Sequence, residues 1–392
     1  MTNTHNIQLA SHDSCTGCAA CESVCSHHAI SMRVGDMGHL YPCIDANKCV
    51  ECSRCTAACP AINKVDPNFI LNAYAAWAKD PTEYETSVSG GAASVLSRYI
   101  IRHGGVVYGC AMLPDIVVKH IRVDNEDDLV QLKGSKYVQS DISEVFSQIK
   151  EDVKCNRQTL FIGTPCQVAA IKRMYKKQPD NLYLIDLICH GVPSIDALRK
   201  HIYRVAPSNE QYRYISFRSA QGFYLVVVED ELVEIYRKPL KHQVVGEDTY
   251  LGAFFRGYSY RESCYSCQFA SSRRVGDITI GDFWGLGDEY PIDDMPEHPN
   301  GCSVMLPCTE RGMKLINAIQ KDIFCFQRPI SEAINGNTQL RHPFPKTFKI
   351  KVFRLTQKIM DCPEIYHVIN FDKFIGFWIG KIFKRLKKNI AI

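Results

Sequence analysis

No uninterrupted apolar run in the 392 residues reaches the ~18 that a membrane-spanning helix needs, so no transmembrane segment is expected. The opening stretch MTNTHNIQLA lacks a basic region followed by an apolar one. No secretory signal is therefore expected, and a cytoplasmic chain with reduced thiols is. No GxGxxG follows a strand-like run, which removes support for a Rossmann-type NAD site. No recognised nucleic-acid-binding module is present, and no nucleic-acid partner is expected. With 46% hydrophobic and 22% charged residues the composition is that of an ordinary globular chain, and the length allows two or three domains.

Cysteine is plentiful: nineteen residues, clustered rather than spread like a disulfide framework. In a reducing compartment, clustered cysteines read as metal or redox ligands. Residues 11–63 hold the one convincing internal repeat, Cys15-x2-Cys18-x2-Cys21-x3-Cys25 followed by Cys49-x2-Cys52-x2-Cys55-x3-Cys59 and Pro60. Thiolates are soft anionic ligands suited to iron. Three closely spaced cysteines wrap one cubane while the fourth points to the other, as in bacterial two-cluster ferredoxins. This assigns Cys15, Cys18, Cys21 and Cys59 to one 4Fe–4S cluster and Cys49, Cys52, Cys55 and Cys25 to its partner. A pair of zinc sites is the competing assignment, and the repeated spacing fits it badly. Ser26 stands where proline is usual, but proline is not a ligand. Cys43 lies outside both motifs and is expected to be a buried small hydrophobe.

After the linker VDPNF (65–69), apolar strands alternate with helical stretches. LNAYAAWA, VVYGCAML, IVVKHIRV, QTLFIGT and LYLIDLI read as strands, and GGAASVLSRYIIRHGG as a helix with glycines at each end. Further helices are expected around 169–176 and 196–205, and a hairpin near 223–236. The mixture of crossovers and hairpins favours a mixed sheet and an overall α+β class.

Four cysteines in this second block have distinctive settings: GTPCQ (Cys166), DLICHG (Cys189) and ESCYSC (Cys264 and Cys267). Two follow strands, where α/β proteins build sites. A third cluster drawn from three segments and a set of unrelated buried cysteines both remain open on spacing alone. Ser89-Gly90-Gly91 opens a helix and offers backbone N–H groups to a phosphate, or is simply a flexible start. Ser135 and Lys136 in GSKY could contact phosphate or equally be solvated loop residues. His190, beside Cys189, is a proton-donor candidate or structural. RRVGDITIGDFWG reads as a strand and a turn, with Asp282 and Trp284 either closing over a redox site or merely ending the strand.

The stretches SGGAASVLSRYIIRHG, GSKYVQS, IGTPCQVAAIKRM, DLICHGVPS and CYSCQFASSRRVGDITIGDFWG resemble, in order, the family of beta subunits of coenzyme F-420 hydrogenases and dehydrogenases. The resemblance implies an iron–sulfur flavoprotein: FAD in the second block, and Cys166, Cys189, Cys264 and Cys267 holding a third 4Fe–4S cluster. It raises Ser89, Gly90, Gly91, Ser135, Lys136 and Thr164 as candidate flavin contacts, and leaves the catalytic residues unknown. The implied architecture is a ferredoxin domain (1–67), a larger mixed-sheet flavin-binding domain (68–340) and a basic tail (341–392). The expected function is electron passage between reduced ferredoxin, or another carrier protein, and a small two-electron molecule. A non-catalytic electron-transfer subunit wiring a partner enzyme to its donor is the alternative.

The net charge of +4 hides an asymmetry: residues 341–392 carry +9, leaving −5 on the body. Residues 371–392 interleave Phe374, Phe377, Trp378, Ile382 and Leu386 with Lys381, Lys384, Arg385, Lys387 and Lys388, a pattern suited to an amphipathic helix. Peripheral contact with the inner face of a membrane, docking on a partner protein and docking on the body are all open.

Overall fold

The computed structural model describes residues 7–219, 222–241, 246–292, 295–360 and 365–371. Among the described residues the strands run, in chain order, β1 (Ile30–Val34), β2 (Leu40–Ile44), β3 (Ala73–Ala78), β4 (Val106–Leu113), β5 (Val117–Val123), β6 (Thr159–Gly163), β7 (Leu182–Leu187), β8 (Tyr212–Ser219), β9 (Gly222–Glu229), β10 (Glu234–Pro239), β11 (Ile278–Asp282), β12 (Ser303–Pro307) and β13 (Ile323–Arg328). They form a β1–β2 ribbon in a small cysteine-rich N-terminal domain, a three-stranded β10–β9–β8 sheet, and an eight-stranded mixed sheet. The mixed sheet has the order β13-β3-β12-β11-β7-β6-β4-β5.

In the mixed sheet β11, β7, β6 and β4 pair in parallel, and β3 is antiparallel to β12, itself antiparallel to β11. All five therefore point the same way, and their carboxyl ends share one edge. Ligand sites of α/β sheets form at that edge. β6 delivers Thr164 and Cys166 there, β7 delivers Cys189 and His190, and β11 delivers Asp282. The crossover from β3 to β4 contains helix Ala92–Arg102, whose Val95, Leu96, Ile100 and Ile101 are buried on the sheet. The helix begins after Gly91, at φ 80°, so its N-terminus lies at the same edge.

Two expectations change. The helix expected at 169–176 spans Pro165–Lys172, because Thr164 N-caps it, Gln167 completes a capping box and Pro165 takes the first turn. Cys166 thereby enters the positive first turn of a helix. Cys43 is exposed rather than buried, because it sits at an outward position of the β1–β2 ribbon opposite Ser31. The hairpin expected at 223–236 is present as β9–β10, with β8 added on its other side.

Helix Phe348–Met360 docks on the body through buried Ile350 and Phe353, beside Tyr258 and Tyr366. Most of the basic segment singled out at 371–392 lies outside the described residues. Among the described residues, no helix is long and apolar enough to cross a membrane.

Candidate redox site

In the N-terminal domain, burial pushes the Cys18 thiol up to about 11, with smaller contributions from Cys59 and Cys15. Burial raises Cys21 as well, and Cys18, Cys15 and Cys59 add to the rise. These four thiols are thus electrostatic neighbours. Cys25, Cys49, Cys52 and Cys55 instead line one small cavity. The two groups are those drawn from the spacing, with each fourth cysteine crossing to the other trio. Neutral buried thiols become ligands only by losing their protons, which a bound cationic metal centre compensates.

Cys166, Cys189, Cys264 and Cys267 arrive from three segments and line a single cavity of about 160 Å³. Burial pushes Cys166 and Cys264 up to about 12, and Cys189 rises well above its ordinary value from burial and from Cys264, Cys166 and Cys267. Among the described residues no three His, Cys, Asp or Glu side chains close around a single-ion position. A cubane spreads its four thiolates around a larger core, which a cavity walled by cysteines can hold. Thr164 Oγ1 lies 3.2 Å from Cys166 Sγ.

The CxxC loop is fixed from below by a buried knot. Asp186, fully buried on β7, accepts from Arg274 Nη2 at 2.6 Å, Thr279 Oγ1 at 2.7 Å, and the Gly276 and Val275 N–H groups at 2.8 and 3.1 Å. Arg274 also donates to the Phe269, Ser271 and Leu187 carbonyls. A buried carboxylate so fully satisfied locks the segment after Cys267 onto the end of β7. Sequence reading missed this knot, since 88 residues separate its partners. Asp186 as the only charge in an apolar strand was the available signal, because a buried charge must find a partner.

Sharing Cys166, Cys189, His190, Gly191 and Val192 with that chamber is a second cavity of about 840 Å³. Its walls include Ser89, Gly91, Ser135, Lys136 and Thr164. Gly90 is not among them: a Cβ there would meet the Ala76 carbonyl at 2.1 Å and Ser303 N at 2.6 Å, so it serves the packing of β3 and β12. Among the described residues the buried Ser89 Oγ has no hydrogen-bond partner, and it stands at the start of helix Ala92–Arg102, whose first N–H groups have no intrahelical acceptors. Lys136 Nζ donates to the Leu132 and Lys133 carbonyls at 3.0 and 2.7 Å, and burial lowers its pKa to about 8. It braces the loop as well as lining the cavity.

The far wall comes from the small sheet and helix Thr249–Phe255: Phe223, Tyr224, Phe254 and Phe255, with Tyr137 stacked on Phe254 at 4.7 Å. Arg218 on β8 reaches Asp282 at the end of β11 at 2.5 Å, pinning this wall over the main sheet. His190 lines both cavities, burial lowers its pKa, and the nearby Asp282 opposes that shift. Trp284 lies on the large cavity's rim, 45% exposed.

Residues 156–332 match the family described as the C terminus of the coenzyme F420 hydrogenase/dehydrogenase beta subunit, and residues 14–62 match a 4Fe–4S dicluster domain. The F subunit of the F(420)H(2) dehydrogenase of Methanosarcina mazei is 21% identical over 308 residues, covering 72% of this chain and 83% of that protein. The beta subunit of the F420-dependent formate dehydrogenase 1 of Methanococcus maripaludis is 25% identical over 288 residues, 71% of this chain and 63% of that protein. The alignment thus spans less than two thirds of that second relative. A ferredoxin-like protein in the nif region of Bradyrhizobium diazoefficiens is 42% identical over 55 residues, 12% of this chain and 68% of that protein. Among solved structures, the xenon-derivatised F420-reducing [NiFe] hydrogenase complex from Methanosarcina barkeri aligns with a TM-score of 0.47 at 14% identity. That alignment covers 76% of this chain and 93% of that one.

Proposed function

Since residues 156–332 match the C-terminal family of coenzyme F420 hydrogenase/dehydrogenase beta subunits and residues 14–62 match a 4Fe–4S dicluster domain, we propose that the chain is a member of that family and an iron–sulfur flavoprotein oxidoreductase. It passes electrons between a one-electron carrier, such as reduced ferredoxin, and a small two-electron molecule. The observation that carries this reading is the shared wall: the four-cysteine chamber and the 840 Å³ cavity have Cys166, Cys189 and His190 in common. A third cluster held by Cys166, Cys189, Cys264 and Cys267 would lie between the dicluster domain and the cavity.

The cavity has the size and the polar placement that FAD requires. Its orphaned Ser89 hydroxyl and the helix N-terminus after Gly91 suit a pyrophosphate, and the aromatic wall suits a planar ring. FAD bound there would supply the exchange between single electrons and hydride chemistry. The chain's part is placement. Thr164 and the first turn of helix Pro165–Lys172 orient Cys166. The Asp186–Arg274 knot holds the Cys264–Cys267 loop. His190 stands where a proton could be passed to a bound ring.

Anaerobically purified protein should hold about twelve irons with matching sulfide, and should release FAD on denaturation. About eight irons, unchanged in Cys166→Ser, would remove the third cluster and leave the dicluster domain. A fully iron-loaded chain that never binds flavin would leave only an electron relay. The relatives named as dehydrogenase subunits favour a protein partner. Turnover of a two-electron acceptor by the isolated chain with an artificial donor separates enzyme from relay.

A further inference from the structure

Arg261 is 1% exposed, yet among the described residues no carboxylate pairs with it. Its guanidinium donates to neutral groups instead: Nε to the Cys15 carbonyl at 2.6 Å, Nη2 to the Leu40 carbonyl at 2.8 Å and Nη1 to Gln139 Oε1 at 3.3 Å. Its centre lies 4.2 Å from the Tyr41 ring centroid. The nearby carboxylates are engaged elsewhere, Asp36 and Glu262 both with Arg354 at 2.8 and 3.0 Å. A buried cation without a counter-charge is strongly unfavourable.

The site is nevertheless built for this side chain. Gly17, at φ 65°, leaves the space that a Cβ would take from Arg261 Nη1, at 2.5 Å. Gln139, whose Nε2 is anchored on the Thr16 carbonyl at 3.0 Å, presents its oxygen to the guanidinium. The balancing negative charge must therefore come from outside the polypeptide. Arg261 touches two places where it would arise: Nη2 is 3.5 Å from Cys15 Sγ, and the same side chain lines the Cys166–Cys189–Cys264–Cys267 cavity.

We propose that Arg261 is the shared counter-cation of two 4Fe–4S clusters, one held by Cys15, Cys18, Cys21 and Cys59 and the other by Cys166, Cys189, Cys264 and Cys267. The inference rests on the cluster assignment made under Proposed function. Four thiolates outweigh the charge of an iron–sulfide core, and each added electron makes the cluster more negative. A fixed cation between the two favours the reduced form of both and raises their potentials, through charge and through hydrogen bonding at sulfur. The cluster of Cys25, Cys49, Cys52 and Cys55 has no contact with Arg261 and sets the reference. Arg261 is a positioning residue: it draws electrons inward from the outer cluster toward the large cavity.

The test is a redox titration of the iron-loaded full chain, read by low-temperature electron paramagnetic resonance. In Arg261→Gln the two inner clusters should keep their iron and shift to lower potential. At a fixed potential their reduced-to-oxidised ratio should fall about tenfold or more, a shift of about 59 mV for one electron. The outer cluster should stay in place, and Arg261→Lys should recover most of the shift. Unmoved potentials, or an equal shift of all three clusters, overturn the proposal. If Arg261→Gln does not hold iron, the content of Arg261→Lys decides: restored iron supports a charge role, and continued loss overturns it. A wild-type chain with only two clusters' worth of iron fails the cluster assignment itself, whereas a fully loaded chain with unmoved potentials fails only the role of Arg261.

Discussion

Asp186 and Arg274 bury opposite charges, 0% and 2% exposed, at the root of the CxxC loop. Such a pair adds little net stability over apolar residues, but removing one member leaves an uncompensated charge. Asp186→Ala should therefore cost ~3–5 kcal/mol in denaturant unfolding. Its reach goes further, because the Gly276 and Val275 N–H groups lose their acceptor as well and the segment after Cys267 comes loose. The variant should purify without the iron of the four-cysteine chamber while the N-terminal domain keeps its own. Retention of all the iron by Asp186→Ala would show that the loop is held by other means. Arg274→Met should destabilise by a similar amount, because it leaves the buried carboxylate without its counter-charge. Thr279 and the two N–H groups still tie the segment to Asp186, however, and more of the chamber's iron should be kept.

The entrance to helix Ala92–Arg102 separates packing from binding within three consecutive residues. Gly90 is pressed against the Ala76 carbonyl and Ser303 N, so Gly90→Ala should cost ~1–3 kcal/mol by overpacking. Ser89→Ala should do the reverse. It removes a buried hydroxyl that has no partner among the described residues, so the flavin-free chain should melt at the same temperature or higher. Flavin retention should fall, because the pyrophosphate end loses a donor. A Ser89→Ala protein that melts lower and holds flavin as tightly as before would make Ser89 a packing residue. The sequence placed this element and the strands around it correctly, because runs such as SVLSRYII carry helical periodicity and VVYGCAML, TLFIG and LYLIDL are buried strands read from continuous apolar runs. The repeated cysteine spacing was legible for the same reason, being local. One local signal was passed over: Thr164-Pro165-Cys166-Gln167 is a capping box that starts the helix at Pro165. What else stayed hidden depends on contacts far apart in the chain. The Arg218–Asp282 tie and the aromatic wall exist only once the small sheet has folded back over the main one.

Across the whole molecule, the N-terminal domain is seated by polar contacts drawn from many parts of the body. Arg173 donates to the Ala57 carbonyl at 2.6 Å, Gln268 to the Pro60 carbonyl at 3.0 Å and Ser194 to the Met37 carbonyl at 2.7 Å. Arg354 adds a strap from the C-terminal side: it reaches Asp36 in the N-terminal domain, the Tyr260 carbonyl and Glu262 beside Cys264. One helix, Phe348–Met360, thus holds both the outer domain and the loop that carries two cysteines of the inner chamber. Two truncations should therefore behave differently. A chain ending at residue 340 exposes the apolar surface of Ala253, Tyr258 and Tyr265 that Ile350, Phe353 and Tyr366 cover. It should melt several degrees lower, and limited proteolysis should cut it early between the N-terminal domain and the body. A chain ending at residue 371 keeps the strap and loses only the basic stretch beyond it. Its melting temperature, iron content and artificial-donor activity should match those of the full chain. If that stretch attaches the protein to anionic lipid, with each basic residue near the surface contributing about 1 kcal/mol, only this second truncation isolates the effect. Co-sedimentation with anionic vesicles at low salt should be lost and stability kept. A full chain that does not sediment under those conditions ends the membrane proposal, and a destabilised 371-residue chain assigns the stretch to the body instead.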